Sequence, residues 1–152
     1  MAAPVRVLGL GNELLADDAV GILAAREVAA RCTSGEVEVI ASSESGLYLL
    51  EYVTDVARLI VIDSVQTGRA APGTIHVVRE ENVLAAPGST PHGTGLFDTL
   101  ALARKLGLNV PEEVVILAVE TADCLTIGGE MHAGVAAAIP EIVERVIRMS
   151  MN

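Results

Sequence analysis

Short apolar runs rich in β-branched residues alternate along the chain with segments whose apolar residues recur at helical spacing. Runs of the first kind are typical of buried strands, and segments of the second kind are typical of amphipathic helices. The pattern predicts strands over residues 5–10, 36–41, 58–63, 74–78 and 114–119. It predicts helices from Val20 to about Cys32, over 47–53, from Leu96 to near Gly107, and from about Met131 onwards.

This alternation predicts an α/β fold with a single domain over residues 1–152. We expect a three-layer α/β/α sandwich whose mostly parallel, twisted sheet has about five strands. The run at 74–78 follows its predecessor too closely for a helical crossover, so we expect an antiparallel or edge strand there. Pro140 lies inside the last helical pattern and should kink or divide that helix.

The amino-acid composition argues against two classes of binding partner, nucleic acids and anionic membranes. Among 152 residues, 20 are acidic and 10 are basic, so the net charge is −10. Such an acidic chain is a poor match for nucleic acid or for an anionic membrane surface. No apolar run has the length of a membrane span, and the N-terminus lacks a signal-peptide pattern. Cys32 and Cys124 fit reduced thiols in a cytoplasmic protein, which we expect to be a monomer.

The turn after the first predicted strand is a natural place to hold a ligand. Gly9 and Gly11 allow a tight turn, and Asp17 and Asp18 stand directly before the first helix. The third glycine of the dinucleotide fingerprint is missing, and two carboxylates would repel phosphate, so a cation suits this turn better. The alternative is that both aspartates are ordinary helix caps, and Asp17 is the better candidate for that role.

Three polar residues are predicted to meet at one edge of the sheet. In open α/β sheets, ligands bind beyond the carboxyl ends of the strands, where Asp18 and Asp63 should lie and which the loop carrying His92 can reach. Two carboxylates and one imidazole suit Ni, Zn, Mn or Co better than Ca or Mg. Alternatively, Asp63 satisfies loop N–H groups and His92 is an exposed loop residue. By their placement, His76 and His132 are not expected to be ligands.

Several stretches resemble one known family. The opening motif reads Gly9-x-Gly11-Asn12-x-Leu14-x-x-Asp17-Asp18-x-x-Gly21. Further along come Ser45-Gly46-x-x-Leu49-Leu50, Leu59-Ile60-Val61-Ile62-Asp63, Pro72-Gly73-Thr74 and Ser89-Thr90-Pro91-His92-x-x-Gly95-Leu96. Together and in this order they resemble the hydrogenase maturation endopeptidases, which process the large subunit of nickel-iron hydrogenases.

The resemblance implies an endopeptidase that removes a C-terminal extension from the large-subunit precursor after nickel has been inserted. Nickel would belong to the precursor and serve as the recognition mark, while Zn, Cd or another divalent ion could occupy the isolated protease. Matched by motif, Asp18, Asp63 and His92 are the metal-contacting and catalytic residues, and no cofactor-binding residues are expected. The metal would polarise the scissile carbonyl or activate water.

One loop departs from the family pattern. Where the family commonly has Asp-Gly-Gly-Thr after its second strand, this chain has Ala41-Ser42-Ser43-Glu44. The loop loses the conformational freedom of glycine and gains a carboxylate. Glu44 is an extra metal ligand, a catalytic base, or simply a solvated loop charge. The hydrogenase isoform and the cleavage position are open.

Two other functions compete with the endopeptidase. The Gly-Leu-Gly-Asn string also opens peptidyl-tRNA hydrolases, but those enzymes need a basic groove for RNA and this chain is acidic. The second alternative is a maturation chaperone of the same fold, which would bind the metal or the precursor without cleaving it. Cleavage of a nickel-loaded precursor separates the two.

Overall fold

The sheet that forms the centre of the fold has five strands among residues 4–80 and 95–152, which the computed structural model describes. The strands are β1 (Val5–Leu10), β2 (Val37–Ser42), β3 (Arg58–Val65), β4 (Ile75–Arg79) and β5 (Glu113–Glu120). Their order in the sheet is β2-β1-β3-β5-β4. All neighbours pair in parallel except β4, which runs antiparallel to β5 at the edge of the sheet. The prediction for the run at 74–78 is therefore confirmed.

Helices cover both faces of the sheet, which confirms the three-layer α/β/α arrangement. Helices α1 (Val20–Arg31) and α3 (Ala133–Ser150) pack on one face, where the core includes Ile60, Ile62 and Leu117. Helix α2 (Leu96–Lys105) packs on the other face against Leu59 and Val61. Alternate residues of β3 therefore pack into cores on opposite faces of the sheet, because successive side chains of a strand point to opposite faces. Both cores are largely aliphatic.

Two glycines allow α1 to lie directly on the sheet. A Cβ atom at Gly9 would stand 2.3 Å from the carbonyl oxygen of Gly21, and one at Gly21 would stand 2.2 Å from that of Leu10. Both distances are far below van der Waals contact, so a larger residue at either position would push the layers apart. This close approach fixes the start of α1 near the carboxyl end of β1, and the turn between them carries Asp18.

The short helix predicted over 47–53 is confirmed in part. The structure has a short 3-10 helix, Gly46–Leu49, followed by turns. The guanidinium of the buried Arg6 donates to the carbonyl oxygens of Tyr52 at 2.8 Å and Thr54 at 2.9 Å, just beyond the 3-10 helix. Arg6 thus satisfies carbonyls that the end of a helical segment leaves without partners, and Asp55 then turns the chain with a φ of 61°.

Pro140 does not divide the last helix. Helix α3 runs without a break through Pro140, which is exposed. On the opposite side, α3 buries an apolar stripe that includes Val135, Ile142 and Val146. Pro140 has no backbone N–H to donate within the helix, but packing on the sheet stabilises α3 both before and after this residue. None of the helices among the described residues combines the length and apolarity needed to cross a membrane.

Candidate active site

Ser64 connects two of the predicted site residues. Its hydroxyl donates to Asp18 Oδ1 at 2.6 Å, and its backbone N–H donates to Asp63 Oδ1 at 2.8 Å. Asp18 is 2% exposed, and Asp63 and Ser64 are both fully buried. The structure therefore places Asp18 against Ser64, the residue that follows Asp63, so that both predicted residues lie at the carboxyl edge of the sheet where they were predicted to lie.

The backbone of the opening turn sets the position of Asp18. A 3-10 helix, Ala16–Ala19, precedes α1, and the N–H of Asn12 donates to the carbonyl oxygen of Asp18 at 3.2 Å. A Cβ atom at Gly11 would stand 2.1 Å from that same oxygen. The glycine therefore lets the turn fold back on itself, which directs the Asp18 side chain towards the end of β3.

Asp17 has a different role from the one predicted. Neither the 3-10 helix nor α1 has a side-chain cap, so the expectation that Asp17 caps the first helix is wrong. Its carboxylate instead accepts from the backbone N–H groups of Ala122, Asp123 and His132, at 2.8, 2.9 and 2.7 Å. Asp17 therefore fastens the loop between β5 and α3 to the opening turn. The carboxylate of the neighbouring Asp18 does not take part in this contact and accepts from the Ser64 hydroxyl instead.

Cys124 packs against the same serine in a buried position. Its Sγ lies 3.6 Å from Ser64 Oγ and 3.0 Å from Thr121 Oγ1. Burial, helped by the nearby charges of Asp18 and Asp17, raises the pKa of the thiol despite its two hydrogen bonds. Because the thiolate is the reactive form, Cys124 is expected to stay protonated and inert. Cys124 and the half-buried Cys32 are both free thiols, as predicted.

A further buried carboxylate, that of Glu120, lies at the end of β5. Glu120 accepts from the backbone N–H groups of Thr67 and Gly68, from the Thr67 hydroxyl, and lies 3.0 Å from His76 Nε2. Burial opposes ionisation of Glu120, but these hydrogen bonds together outweigh it and hold its pKa below the usual range. The group ties the loop between β3 and β4 to the sheet.

Of the other residues considered in the sequence, His132 and Glu44 lie in different environments. His92 lies outside the described residues, so its place at the site stays a prediction. His132 precedes α3, and its Nδ1 accepts from the N–H of Gly134 at 2.9 Å, which is a helix cap. Glu44 is exposed on its loop. Within residues 4–80 and 95–152, no group of three histidine, cysteine or acidic residues could hold a metal ion.

Sequence reasoning missed Ser64 and Glu120. Each is a polar residue near the end of a strongly apolar strand, and that interruption is a signal that the sequence does contain. A buried polar group must find partners, so such a residue near a sheet edge is expected to organise a loop. The identity of the partner depends on which loop folds over it, and the strand pattern alone does not reveal that.

A cleft of about 430 Å³ opens beside the opening turn. The turn lines one side of it, and the carboxyl end of β2 lines the other. Its lining includes Gly11, Asn12, Leu14, Ala41, Ser42 and Ser43. The loop that departs from the family pattern therefore borders the cleft, where it can contact a bound polypeptide.

Comparisons with known proteins identify the class to which this fold and site belong. The model of the hydrogenase maturation protease family matches residues 22–149. The chain is 32% identical to the hydrogenase expression/formation protein HupD of Rhizobium leguminosarum bv. viciae, over 97% of this chain and 74% of that protein. It is 29% identical to the hydrogenase 2 maturation protease of Escherichia coli, over 92% of this chain and 84% of the other.

Solved structures agree with these sequence matches. The hydrogenase-maturating endopeptidase HybD from Escherichia coli superposes with a TM-score of 0.81 at 28% identity, covering 95% of this chain and 90% of that one. The [NiFe] hydrogenase maturation protease HybD from Thermococcus kodakarensis shares the fold, with a TM-score of 0.75 at 23% identity over 96% of this chain and 98% of the other. The chain belongs to the hydrogenase maturation proteases, which are hydrolases that act on peptide bonds.

Proposed function

We propose that this chain is the endopeptidase that removes the C-terminal extension from a nickel-iron hydrogenase large-subunit precursor. The precursor carries the nickel, which acts as the recognition mark for cleavage. The reaction is the hydrolysis of one peptide bond. Asp18, Asp63 and His92 are the proposed metal-contacting and catalytic residues.

One observation carries this proposal most directly. Helix α1, strand β2 and the 3-10 helix Gly46–Leu49 separate Asp18 from Asp63 in the sequence, yet Asp18 accepts from the hydroxyl of Ser64, the residue next to Asp63, at the carboxyl edge of the sheet. That edge is where open α/β sheets bind their ligands. Burying two carboxylates together is costly unless hydrogen bonds or a cation compensate their charge. Such a pair supports a site that receives a cation.

The donor atoms fit a borderline divalent ion. Two carboxylate oxygens from Asp18 and Asp63, with an imidazole nitrogen from His92, make a mixed oxygen and nitrogen set that suits Ni or Zn. Three protein ligands leave coordination positions for the substrate. The nickel of the precursor would enter this set as part of the substrate, and Zn or Cd could substitute for it in the isolated protease.

The chain's own residues supply orientation and charge. The Ser64 hydroxyl fixes the rotamer of Asp18, and the Ser64 backbone fixes that of Asp63, so both carboxylates are held in place before a substrate arrives. Asp18, Asp63 and His92 would hold the divalent ion, which would supply a Lewis acid for the scissile carbonyl. A carboxylate oxygen left free of the ion would accept a proton from the attacking water.

The test is cleavage of nickel-loaded precursor by site variants. Asp63→Asn and His92→Ala should abolish processing on a gel while far-UV circular dichroism and thermal stability stay close to those of the parent. Asp55→Asn is the matched control, because Asp55 is exposed at the opposite edge of the sheet and its φ of 61° suits asparagine. Full processing by both site variants would refute the proposal. A stable complex with uncut precursor, formed by the parent chain, would instead favour the chaperone.

A further inference from the structure

Five large apolar side chains protrude around the edge of the sheet that carries the candidate site. We call them the apolar rim: Leu14, Leu47, Tyr48, Leu125 and Ile127, with exposed fractions of 66, 68, 74, 81 and 79%. Single exposed apolar residues are common on proteins and need no explanation. Other exposed apolar residues, such as Leu23, Val77 and Met151, lie elsewhere on the molecule, but five around one edge form a cluster, and clustered apolar surface usually marks a contact with another molecule.

The topology explains why the apolar rim surrounds the site. Leu14 follows β1, the pair Leu47 and Tyr48 follows β2, and the pair Leu125 and Ile127 follows β5. All three strands are parallel, so their following loops emerge at the same edge as Asp18 and Asp63. The loops after β1 and β5 are also joined to each other, because Leu15 forms a β-bridge with Ile127 and the N–H of Gly128 donates to Leu14 O at 2.9 Å.

The charge at this edge has one dominant sign. In the loops 11–19, 43–49, 66–74 and 121–132, the exposed acidic residues are Glu13, Glu44 and Glu130, and Asp123 is half-buried. Arg69 is the basic residue in these four loops, and Arg26 of α1, which lines the adjoining cleft, pairs with Glu13 at 2.8 Å, so acidic residues still outnumber basic ones here. A surface that is both apolar and acidic complements a partner surface that is apolar and basic. This edge of the molecule also borders the cleft beside the opening turn, where a polypeptide can enter.

We propose that the apolar rim docks the precursor protein through a basic, apolar surface that lies next to the segment to be cut. This inference rests on the proposed function. The occupant is a polypeptide because the apolar rim spans three loops around the site, which is wider than a small ligand needs. Its position, continuous with Asp18 and Asp63, would bring the scissile bond to the carboxylates as the two proteins associate.

Binding of the precursor by a cleavage-deficient chain tests the docking directly. In an Asp63→Asn background, the nickel-loaded precursor is titrated and its dissociation constant is measured by biolayer interferometry. Leu125→Ser with Ile127→Ser should weaken binding at least about tenfold, the effect of losing about 1.4 kcal/mol of contact energy. Leu106→Ser with Leu108→Ser is the matched control, because these residues are 58 and 42% exposed in the loop at the opposite edge. Unchanged binding by the rim variant would overturn the proposal.

Kinetics and salt provide two further readouts. With Asp63 intact, the rim variant should raise KM about tenfold and leave kcat near that of the parent, because docking precedes the chemistry. Raising NaCl from about 0.05 to 0.5 M should weaken binding, because the acidic edge attracts a basic surface. Salt-independent binding would overturn the basic character assigned to the partner.

Two controls distinguish a failure of docking from a failure of the catalytic assignment. If Asp63→Asn still cleaves, the catalytic role proposed for Asp63 is wrong. Docking can still be measured in that case, with a chain that retains Asp63. If Asp63→Asn is inactive and the rim variant binds normally, the docking fails alone. Size-exclusion chromatography identifies a second copy of this chain as the occupant: a dimer that the rim variant converts to a monomer would overturn the assignment to the precursor.

Discussion

Ser64 is the residue that contacts the carboxylates of both candidate site residues, Asp18 and Asp63. Replacing Ser64 by alanine removes the hydroxyl that donates to Asp18 Oδ1 at 2.6 Å. We expect the free energy of unfolding to fall by about 1–2 kcal/mol, since a hydrogen bond to a buried charged group is lost. We also expect precursor cleavage to slow, because Asp18 can then adopt other rotamers. Urea unfolding and a cleavage time course measure the two effects.

A second buried serine provides the control for that variant. Ser150 is 7% exposed, and its hydroxyl donates to Ile147 O at 2.8 Å near the end of α3, far from the site. Ser150→Ala should lose some stability and keep its cleavage rate. If both alanine variants cleave at the parental rate, Ser64 has no positioning role.

Glu120 should make stability depend on pH. Burial opposes the ionisation of Glu120, but its hydrogen bonds with Thr67, His76 and Gly68 hold its pKa below the unfolded value of about 4.3. The ionised group therefore stabilises the fold above that value, and the stabilisation disappears as the pH falls through the lower folded-state pKa. Glu120→Gln should be less stable than the parent at pH 7, and its stability should fall less steeply below about pH 5.

Chemical denaturation at a series of pH values between about 7 and 3 measures this effect. Glu13→Gln is the control, since Glu13 pairs with Arg26 on the surface, where an ion pair contributes little. Parallel stability curves for the parent and Glu120→Gln would show that the hydrogen bonds do not favour the charged form of Glu120.

The site shows how far individual residues can be predicted from the sequence. Asp18 and Asp63 were predictable because the carboxyl ends of parallel strands share an edge and both residues follow apolar strands. The partners of Asp17 were not, because its carboxylate binds the N–H of His132, 115 residues further along the chain. Local propensity favours a helix cap there, and the tertiary contact prevailed.

The contact between α1 and the sheet is the packing feature that positions the opening turn. A Cβ atom at Gly21 would stand 2.2 Å from Leu10 O and 2.6 Å from Ile62 O, both of them backbone atoms. Gly21→Ala should therefore displace α1 and lower the free energy of unfolding by about 3 kcal/mol or more. The urea midpoint should fall accordingly, and cleavage should weaken because Asp18 moves with the start of α1.

A solvent-exposed glycine separates this clash from the general effect of adding a methyl group. Gly35 lies in the loop between α1 and β2, and a Cβ atom there would have no neighbour within 4 Å. Gly35→Ala should leave the urea midpoint nearly unchanged. Equal losses for the two variants would mean that close packing at Gly21 is not the cause.

At the level of elements, the strands were more predictable than the turns. The short connection before β4 excluded a helical crossover, and β4 is indeed antiparallel at the edge. The short helix around 47–53 is only a 3-10 helix with turns, and its apolar spacing contains no information about Arg6, which binds the carbonyls of Tyr52 and Thr54 from another strand. Backbone groups captured by a distant side chain are a tertiary effect, which a local pattern does not record.

The excess of acidic residues acts on the molecule as a whole. With a net charge of −10, the folded chain concentrates like charges that are farther apart when it is unfolded. Added salt shortens the range of this repulsion, to about 10 Å at 0.1 M. We therefore expect the melting temperature to rise as NaCl increases from about 0.02 to 0.3 M, as differential scanning fluorimetry would show.

Charge reversal at exposed positions away from the site tests the cause of that rise. Glu27 lies on α1 and Glu51 follows the 3-10 helix Gly46–Leu49, and both are exposed. Changing both to lysine shifts the net charge by four units in total, two for each reversal, from the starting value of −10. The double variant should melt higher than the parent at low salt and respond less to NaCl. A salt response equal to that of the parent would assign the stabilisation to ion-specific binding rather than to screening of the whole charge.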